Sequence, residues 1–122
     1  MGLNLRSVLI GSDDAAALAA FYTRIFGEPV WSGGEFQAWR AGEGFITVGP
    51  HDQVKGPNTS PGRILFNLET EDVEGESLRL RELGAEVVQE PYHPGQEPTA
   101  LLATFADPDN NYFQLASPMP FE

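Results

Sequence analysis

The side chains able to do chemistry in this chain are few in kind. There are two histidines, His51 and His93, no cysteine, and 18 carboxylates against seven Lys and Arg. Without cysteine there is no disulfide, thiol nucleophile or zinc–thiolate site. Both histidines lie among prolines and glycines, in Pro50-His51-Asp52 and Tyr92-His93-Pro94-Gly95, where an imidazole reads as loop surface rather than as a metal ligand. Ser12, Ser32, Ser60, Ser77 and Ser117 have no evident histidine partner, and there is neither a GxSxG elbow nor a phosphate-binding loop. Nucleophilic catalysis is unsupported. The densest acidic block is Glu69, Glu71, Asp72, Glu74 and Glu76. It surrounds a helix start, where carboxylates cap the helix and complement its dipole. Asp107 and Asp109 sit in a turn and are suited to bonding their own backbone.

Aromatic rings beside a few polar groups offer a different chemistry, the recognition of a small organic molecule. Trp31, Phe36 and Trp39 cluster on two successive predicted strands, and Tyr112 and Phe113 share the last one. Rings in strands more often fill a core than touch a ligand, so each carries both readings. Arg40 adds a guanidinium of the kind that holds a carboxylate or phosphate, although a solvent-facing strand position suits it equally.

The elements that would position these groups follow from periodicity and punctuation. Leu5 to Ile10 reads as a first strand. Ser12, Asp13 and Asp14 are N-cap residues, and Leu18, Phe21, Tyr22, Ile25 and Phe26 recur at helical spacing from Ala15 to Phe26. Gly27 stops the helix and Pro29 cannot continue it. Strands are expected from Pro29 to Trp31, Phe36 to Arg40 and Phe45 to Val48, turned by Gly33-Gly34 and Gly42-Glu43-Gly44. Pro50, Gly56, Pro57, Asn58 and Pro61 mark a linker. The order then repeats. A strand runs from Arg63 to Leu68, and a helix from Val73 to Leu83 carries Leu78, Leu80 and Leu83 on its apolar side. Strands follow at Glu86 to Glu90, Thr99 to Phe105 and Tyr112 to Ala116.

Two βαβββ modules result, residues 1–49 and 63–122, joined by a linker at 50–62. Ser12-Asp13-Asp14 and Phe26-Gly27-Glu28-Pro29-Val30 align with Thr70-Glu71-Asp72 and Leu83-Gly84-Ala85-Glu86-Val87. An internal repeat of this size means half-domains that each need a cover for an apolar sheet face. The fold class is α+β, with a curled, mostly antiparallel sheet around a cleft.

Composition narrows the partners. The formal net charge is -11, so nucleic acid and anionic membrane are repelled by the mean field, which favours a cationic small molecule. No apolar run is long enough to span a bilayer, and Met1 to Arg6 lacks a signal-peptide pattern, which points to a cytoplasmic protein. A chain of 122 residues gains from covering surface in a homodimer.

Three motifs together resemble the vicinal oxygen chelate superfamily, which contains glyoxalase I, bleomycin resistance proteins and extradiol dioxygenases. Asp14 with Phe21-Tyr22 and Phe26-Gly27 is similar to its "D…FY…LG" opening. Asp72 and Leu83-Gly84 are similar to the opening of its second module. Thr104-Phe105-Ala106-Asp107-Pro108-Asp109-Asn110-Asn111 is similar to its closing "F.DPDGN", with Asn110 where glycine is usual. The resemblance implies paired half-barrels, frequent homodimers, and, in metal-dependent members, ligands on the first and last strand of each module. Offsets from the helix caps carry those positions onto Ser7, Thr47, Leu65 and Gln114. Gln114 stands where catalytic relatives usually carry a metal-binding glutamate. This set holds no imidazole and no carboxylate, so no metal and no cofactor are expected.

Strand alternation then puts Leu5, Ser7, Tyr112 and Gln114 on the cleft face, with Arg63 and Asn67 on the same side as Leu65. Val8 and Phe113 face the helices. The expected ligand-binding set is Ser7, Trp31, Trp39, Arg40, Thr47, Asn67, Tyr112 and Gln114. The leading expectation is a metal-independent small-molecule-binding protein of the glyoxalase/bleomycin-resistance type, in which Trp31 or Trp39 could stack on a planar cation. The alternatives are a lyase, isomerase or dioxygenase of the same superfamily, or a dimer with no ligand.

Overall fold

Two aspartates start the two helices in the same way. Asp14 precedes α1 (Ala15–Phe26) and accepts from the Ala17 N–H at 3.2 Å; Asp72 precedes α2 (Val73–Glu82) and accepts from the Gly75 N–H at 2.9 Å. Each cap is steadied by a hydroxyl two residues earlier. Ser12 accepts from the Asp14 N–H at 3.0 Å, and Thr70 from the Asp72 N–H at 3.1 Å. Such caps satisfy the otherwise orphaned first-turn N–H groups, so the two sequence repeats nucleate equivalent helices.

The computed structural model describes residues 2–118. The chain divides into two compact units, Met1–Pro57 and Asn58–Glu122. The first holds β1 (Ser7–Ser12), α1, β2 (Trp31–Gly33), β3 (Phe36–Ala41) and β4 (Gly44–Pro50). The second holds β5 (Phe66–Glu69), α2, β6 (Glu86–Tyr92), β7 (Leu102–Ala106) and β8 (Tyr112–Ala116), with a 3-10 turn at Pro94–Gln96. Each unit is one βαβββ module with a four-stranded sheet, in the orders β1-β4-β3-β2 and β5-β8-β7-β6. The β1–β4 and β5–β8 pairs are parallel and the other pairs antiparallel, an α+β fold with mixed sheets. Residue 1 and residues 119–122, at the outer ends of the expected modules, lie outside the described residues. No helix among the described residues is long and apolar enough to cross a membrane.

Each sheet buries one face against its own helix. In the first unit Leu18, Phe21, Tyr22 and Ile25 of α1 are buried together with Ile10, Trp39, Ile46 and Val48. In the second, Val73 and Leu80 of α2 are buried together with Ala103, Phe105, Phe113 and Leu115. Burial of large apolar side chains at about 1.5–3 kcal/mol each makes these two faces the main source of stability.

Several boundaries differ from the sequence expectation. β1 begins at Ser7, because Leu5 lies before the ladder and is 91 % exposed. β5 begins at Phe66 rather than Arg63, and β7 at Leu102 rather than Thr99. The buried stripe of α2 is Val73, Ser77 and Leu80, one residue per turn, which leaves Leu78 exposed.

The Asp107–Asn111 turn is structural. Buried Asp107 accepts through Oδ1 from the N–H groups of Asp109 and Asn111, both at 2.9 Å. Asn110 adopts φ +64°, which asparagine tolerates better than most residues. Its side-chain amide donates to the Asn58 carbonyl at 2.9 Å. Asn58 returns the contact, donating from its backbone N–H to the Asp109 carbonyl and from its side chain to Asn111 Oδ1.

Candidate functional site

Cross-strand register decides which side chains share the sheet face turned away from each helix, because residues directly opposite point the same way. In the first unit Leu9, Thr47, Ala38 and Trp31 form one row across all four strands. The neighbouring row is Ser7, Phe45 and Arg40. On the other side of the Thr47 row, the Phe36 ring lies over Gly49 and the Trp31 ring over Gly33, filling space that a Cβ at either glycine would occupy. Two guanidiniums sit on the Phe45 ring, Arg40 at 4.7 Å and Arg6 at 5.3 Å from its centroid.

The second unit presents a different row. Asn67, Gln114, Thr104 and Gln89 are opposite one another across β5, β8, β7 and β6. Gln114 donates from Nε2 to Thr104 Oγ1 at 3.1 Å. Thr104 is 7 % exposed, and Gln114 is half-buried. Tyr112 lies two residues along β8 from Gln114 and shares its face, opposite Ala106. A sheet face used only for packing carries apolar side chains; this one carries an unbroken line of amides and a hydroxyl.

The expected residues therefore fall into two groups and one exception. Ser7, Trp31, Arg40 and Thr47 share the open face of the first sheet; Asn67, Tyr112 and Gln114 share that of the second. Trp39 is the exception. It is opposite Ile46, is 0 % exposed and packs at 6.1 Å against Tyr22 of α1. Strand alternation forbids Trp39 and its neighbour Arg40 from facing the same way, and Trp39 took the helix side. The expected stacking of a ligand on Trp39 is withdrawn for that reason.

Register also shows which residues neighbour the expected metal-ligand positions. Thr47 is level with Leu9, not Ser7, and Gln114 is level with Asn67, not Leu65. Leu65 precedes β5. In the first unit Ser7, Leu9 and Thr47 offer two hydroxyls and an alkyl chain; in the second Leu65, Asn67 and Gln114 offer an alkyl chain and two neutral amides. Zn, Fe and Ni centres are built from imidazole, thiolate and carboxylate donors, so these residues do not fit one. No group of three His, Cys, Asp or Glu side chains able to hold a metal occurs among the described residues.

Leu9, Phe45, Thr104, Gln89 and Arg6 were not foreseen. Counting outward from the turns would have found two of them. The β7–β8 hairpin pairs Ala106 with Tyr112 and hence Thr104 with Gln114, and the β3–β4 hairpin pairs Ala41 with Gly44 and hence Arg40 with Phe45.

This arrangement is the one seen in a known family. A family model for the glyoxalase-like domain matches residues 7–116. The chain belongs to the glyoxalase-like domain family. Solved structures of the vicinal oxygen chelate superfamily share its fold. A glyoxalase/bleomycin resistance protein/dioxygenase family enzyme from Burkholderia phytofirmans is 21 % identical with a TM-score of 0.74, covering 96 % of this chain and 100 % of that one. A lactoylglutathione lyase from Agrobacterium tumefaciens is 19 % identical with a TM-score of 0.71, covering 93 % and 92 %. A fosfomycin resistance protein from Listeria monocytogenes is 19 % identical with a TM-score of 0.66, covering 98 % and 95 %. No curated protein matches the sequence significantly. At these identities the structures establish the fold of this glyoxalase-like chain and nothing of its ligand.

Proposed function

We propose that this glyoxalase-like protein binds a small molecule without a metal. The observation that carries the reading is the polar row Asn67–Gln114–Thr104–Gln89. Gln114 gives one of its two amide N–H donors to Thr104, and its carbonyl oxygen has no partner among the described residues. A half-buried acceptor left free on a shared sheet face is suited to a ligand donor, because an unmade hydrogen bond there costs about 1–3 kcal/mol. Trp31, 55 % exposed on the open face of the first sheet, supplies aromatic surface of the kind small-molecule sites use. The lyase, isomerase or dioxygenase reading needs groups that polarise or deprotonate a substrate. Ser7, Leu9 and Thr47 on the first sheet and Asn67 and Gln114 on the second include no general base and no imidazole or carboxylate to hold a polarising metal.

The protein is further proposed to act as a homodimer. β1 is an edge strand, and Leu3 and Leu5 just before it are exposed, which supports a second chain as their cover.

The test is a thermal-shift screen of a metabolite and antibiotic library on untagged protein treated with a chelator, followed by calorimetry. A saturable ligand that binds in chelator and weakens in Gln114→Leu supports the reading. A ligand that binds only after a divalent metal is restored, or turnover of that ligand, contradicts it.

A further inference from the structure

Resting on that small-molecule reading, we propose that Arg6 and Arg40 form an oxyanion-binding pair, so that the ligand is an organic anion with an apolar body. The chain has seven Lys and Arg side chains, and two of them lie on one ring, that of Phe45. Neither guanidinium has an ion-pair or hydrogen-bond partner among the described residues, although 18 acids are present in the sequence. Glu43, in the turn after β3, borders the same surface as Arg6 without pairing to it. Two like charges drawn to one ring repel each other, a cost that cation–π contact with the ring opposes. A bound oxyanion would relieve the repulsion and accept charge-assisted, forked hydrogen bonds from the guanidiniums. Ser7, opposite Phe45 in the same row, adds a hydroxyl donor.

The next row gives the rest of the ligand its place. Ala38 and Thr47 make a low floor between two exposed apolar side chains, Trp31 and Leu9, with the Phe36 ring beyond. An anionic head at Arg6 and Arg40 would leave an aromatic or alkyl body along this floor. The net charge of -11 opposes an anion at long range, but screening within about 10 Å at 0.1 M salt leaves the contact itself to the local pair.

The probes are phenylphosphonate and benzoate, compared with benzyl alcohol and benzylamine, titrated into the full chain. Binding is read from the Nε–H signals of Arg6 and Arg40 and the amide signals of Ser7 and Phe45 by NMR. Expected are saturable shifts with the two anions and none with the alcohol or the amine; the tighter anion distinguishes a tetrahedral from a planar headgroup. Arg6→Met and Arg40→Met, each checked for an intact amide spectrum, should weaken anion binding about tenfold or more. Equal shifts with benzyl alcohol, no shift with either anion, or unchanged affinity in both variants overturns the proposal. A ligand from the thermal screen that binds both Arg variants as tightly as wild type sinks the anion assignment alone. An empty screen beside saturable phenylphosphonate shifts sinks the broader reading and leaves the pair standing.

Discussion

Gln114 and Thr104 are joined side chain to side chain, Nε2 to Oγ1 at 3.1 Å, across the β7–β8 pair. The bond holds the amide on the open face and uses one of its two N–H donors. Gln114→Glu would instead accept from the Thr104 hydroxyl and place a carboxylate level with Asn67. One carboxylate does not make a transition-metal site when its neighbours on the same sheet face are Asn67, Thr104 and Tyr112. Calorimetry of Gln114→Glu with Zn²⁺ and Ni²⁺ should therefore show no saturable binding. Micromolar one-to-one binding would refute the donor assignment.

The two tryptophans should report separately. Trp39 is buried against Tyr22 and Trp31 is on the open face. Acrylamide should quench Trp31 emission and spare Trp39. A ligand seated on the first sheet should change the signal in Trp39→Phe and leave Trp31→Phe unresponsive; the reverse pattern would place the ligand elsewhere. Trp39→Phe should cost less than a large core truncation, because the Trp39 Nε1–H is buried with no partner among the described residues and its removal offsets lost packing.

The residues that start and stop elements were legible in the sequence. Asp14 and Asp72 announced both helices, α1 runs from Ala15 to Phe26 as expected, and Tyr112 to Ala116 is β8. Facing was legible only where alternation had an anchor. Phe113 is on the buried side and Gln114 on the open side, as their neighbours require. Trp39 was misplaced because ring type was weighed over phase, although Arg40 beside it should have fixed the phase. Ser7 is two residues out of level with Thr47, and Leu65 two out of level with Gln114, a relation that offsets from a helix cap do not contain. Register arises from tertiary pairing, and a two-residue slip keeps the same face, so the hydrophobic pattern cannot detect it.

Ser77 offers a stability gain. It occupies the buried stripe of α2, and its hydroxyl has no hydrogen-bond partner among the described residues. It borders a cavity of about 110 Å³ lined also by Leu78, Val87 and Phe105. Ser77→Ala removes an unsatisfied polar group and substitutes the best helix former, so unfolding in urea should shift upward by about 0.5–1 kcal/mol. A loss of stability would show that the hydroxyl has a bound partner in solution.

Glu97 sets a pH response in the loop before β7. Its Oε1 accepts from the Thr99 N–H at 3.1 Å and from the Thr99 hydroxyl at 3.0 Å. The Thr99 backbone bond first, then the side-chain bond, hold the carboxyl below its ordinary value, with a smaller contribution from His93. The folded value lies below the unfolded one. The contribution of these bonds to loop order is thus present above the ordinary glutamate range and lost as pH falls through the lowered value. A carbon-detected NMR titration should find the Glu97 midpoint below those of the exposed glutamates, and Thr99→Val should raise it. An unshifted Glu97 midpoint would show that the Thr99 bonds do not persist in solution.

Metal independence rests on the absence of imidazole and carboxylate from Ser7, Leu9 and Thr47 of the first unit and from Leu65, Asn67 and Gln114 of the second. It is measured directly by inductively coupled plasma mass spectrometry on untagged protein purified without added metal. Zn, Fe, Ni and Mn should each be far below one per chain, with no thermal shift when any of them is added. Near-stoichiometric metal that survives dialysis would contradict it and restore a metalloenzyme.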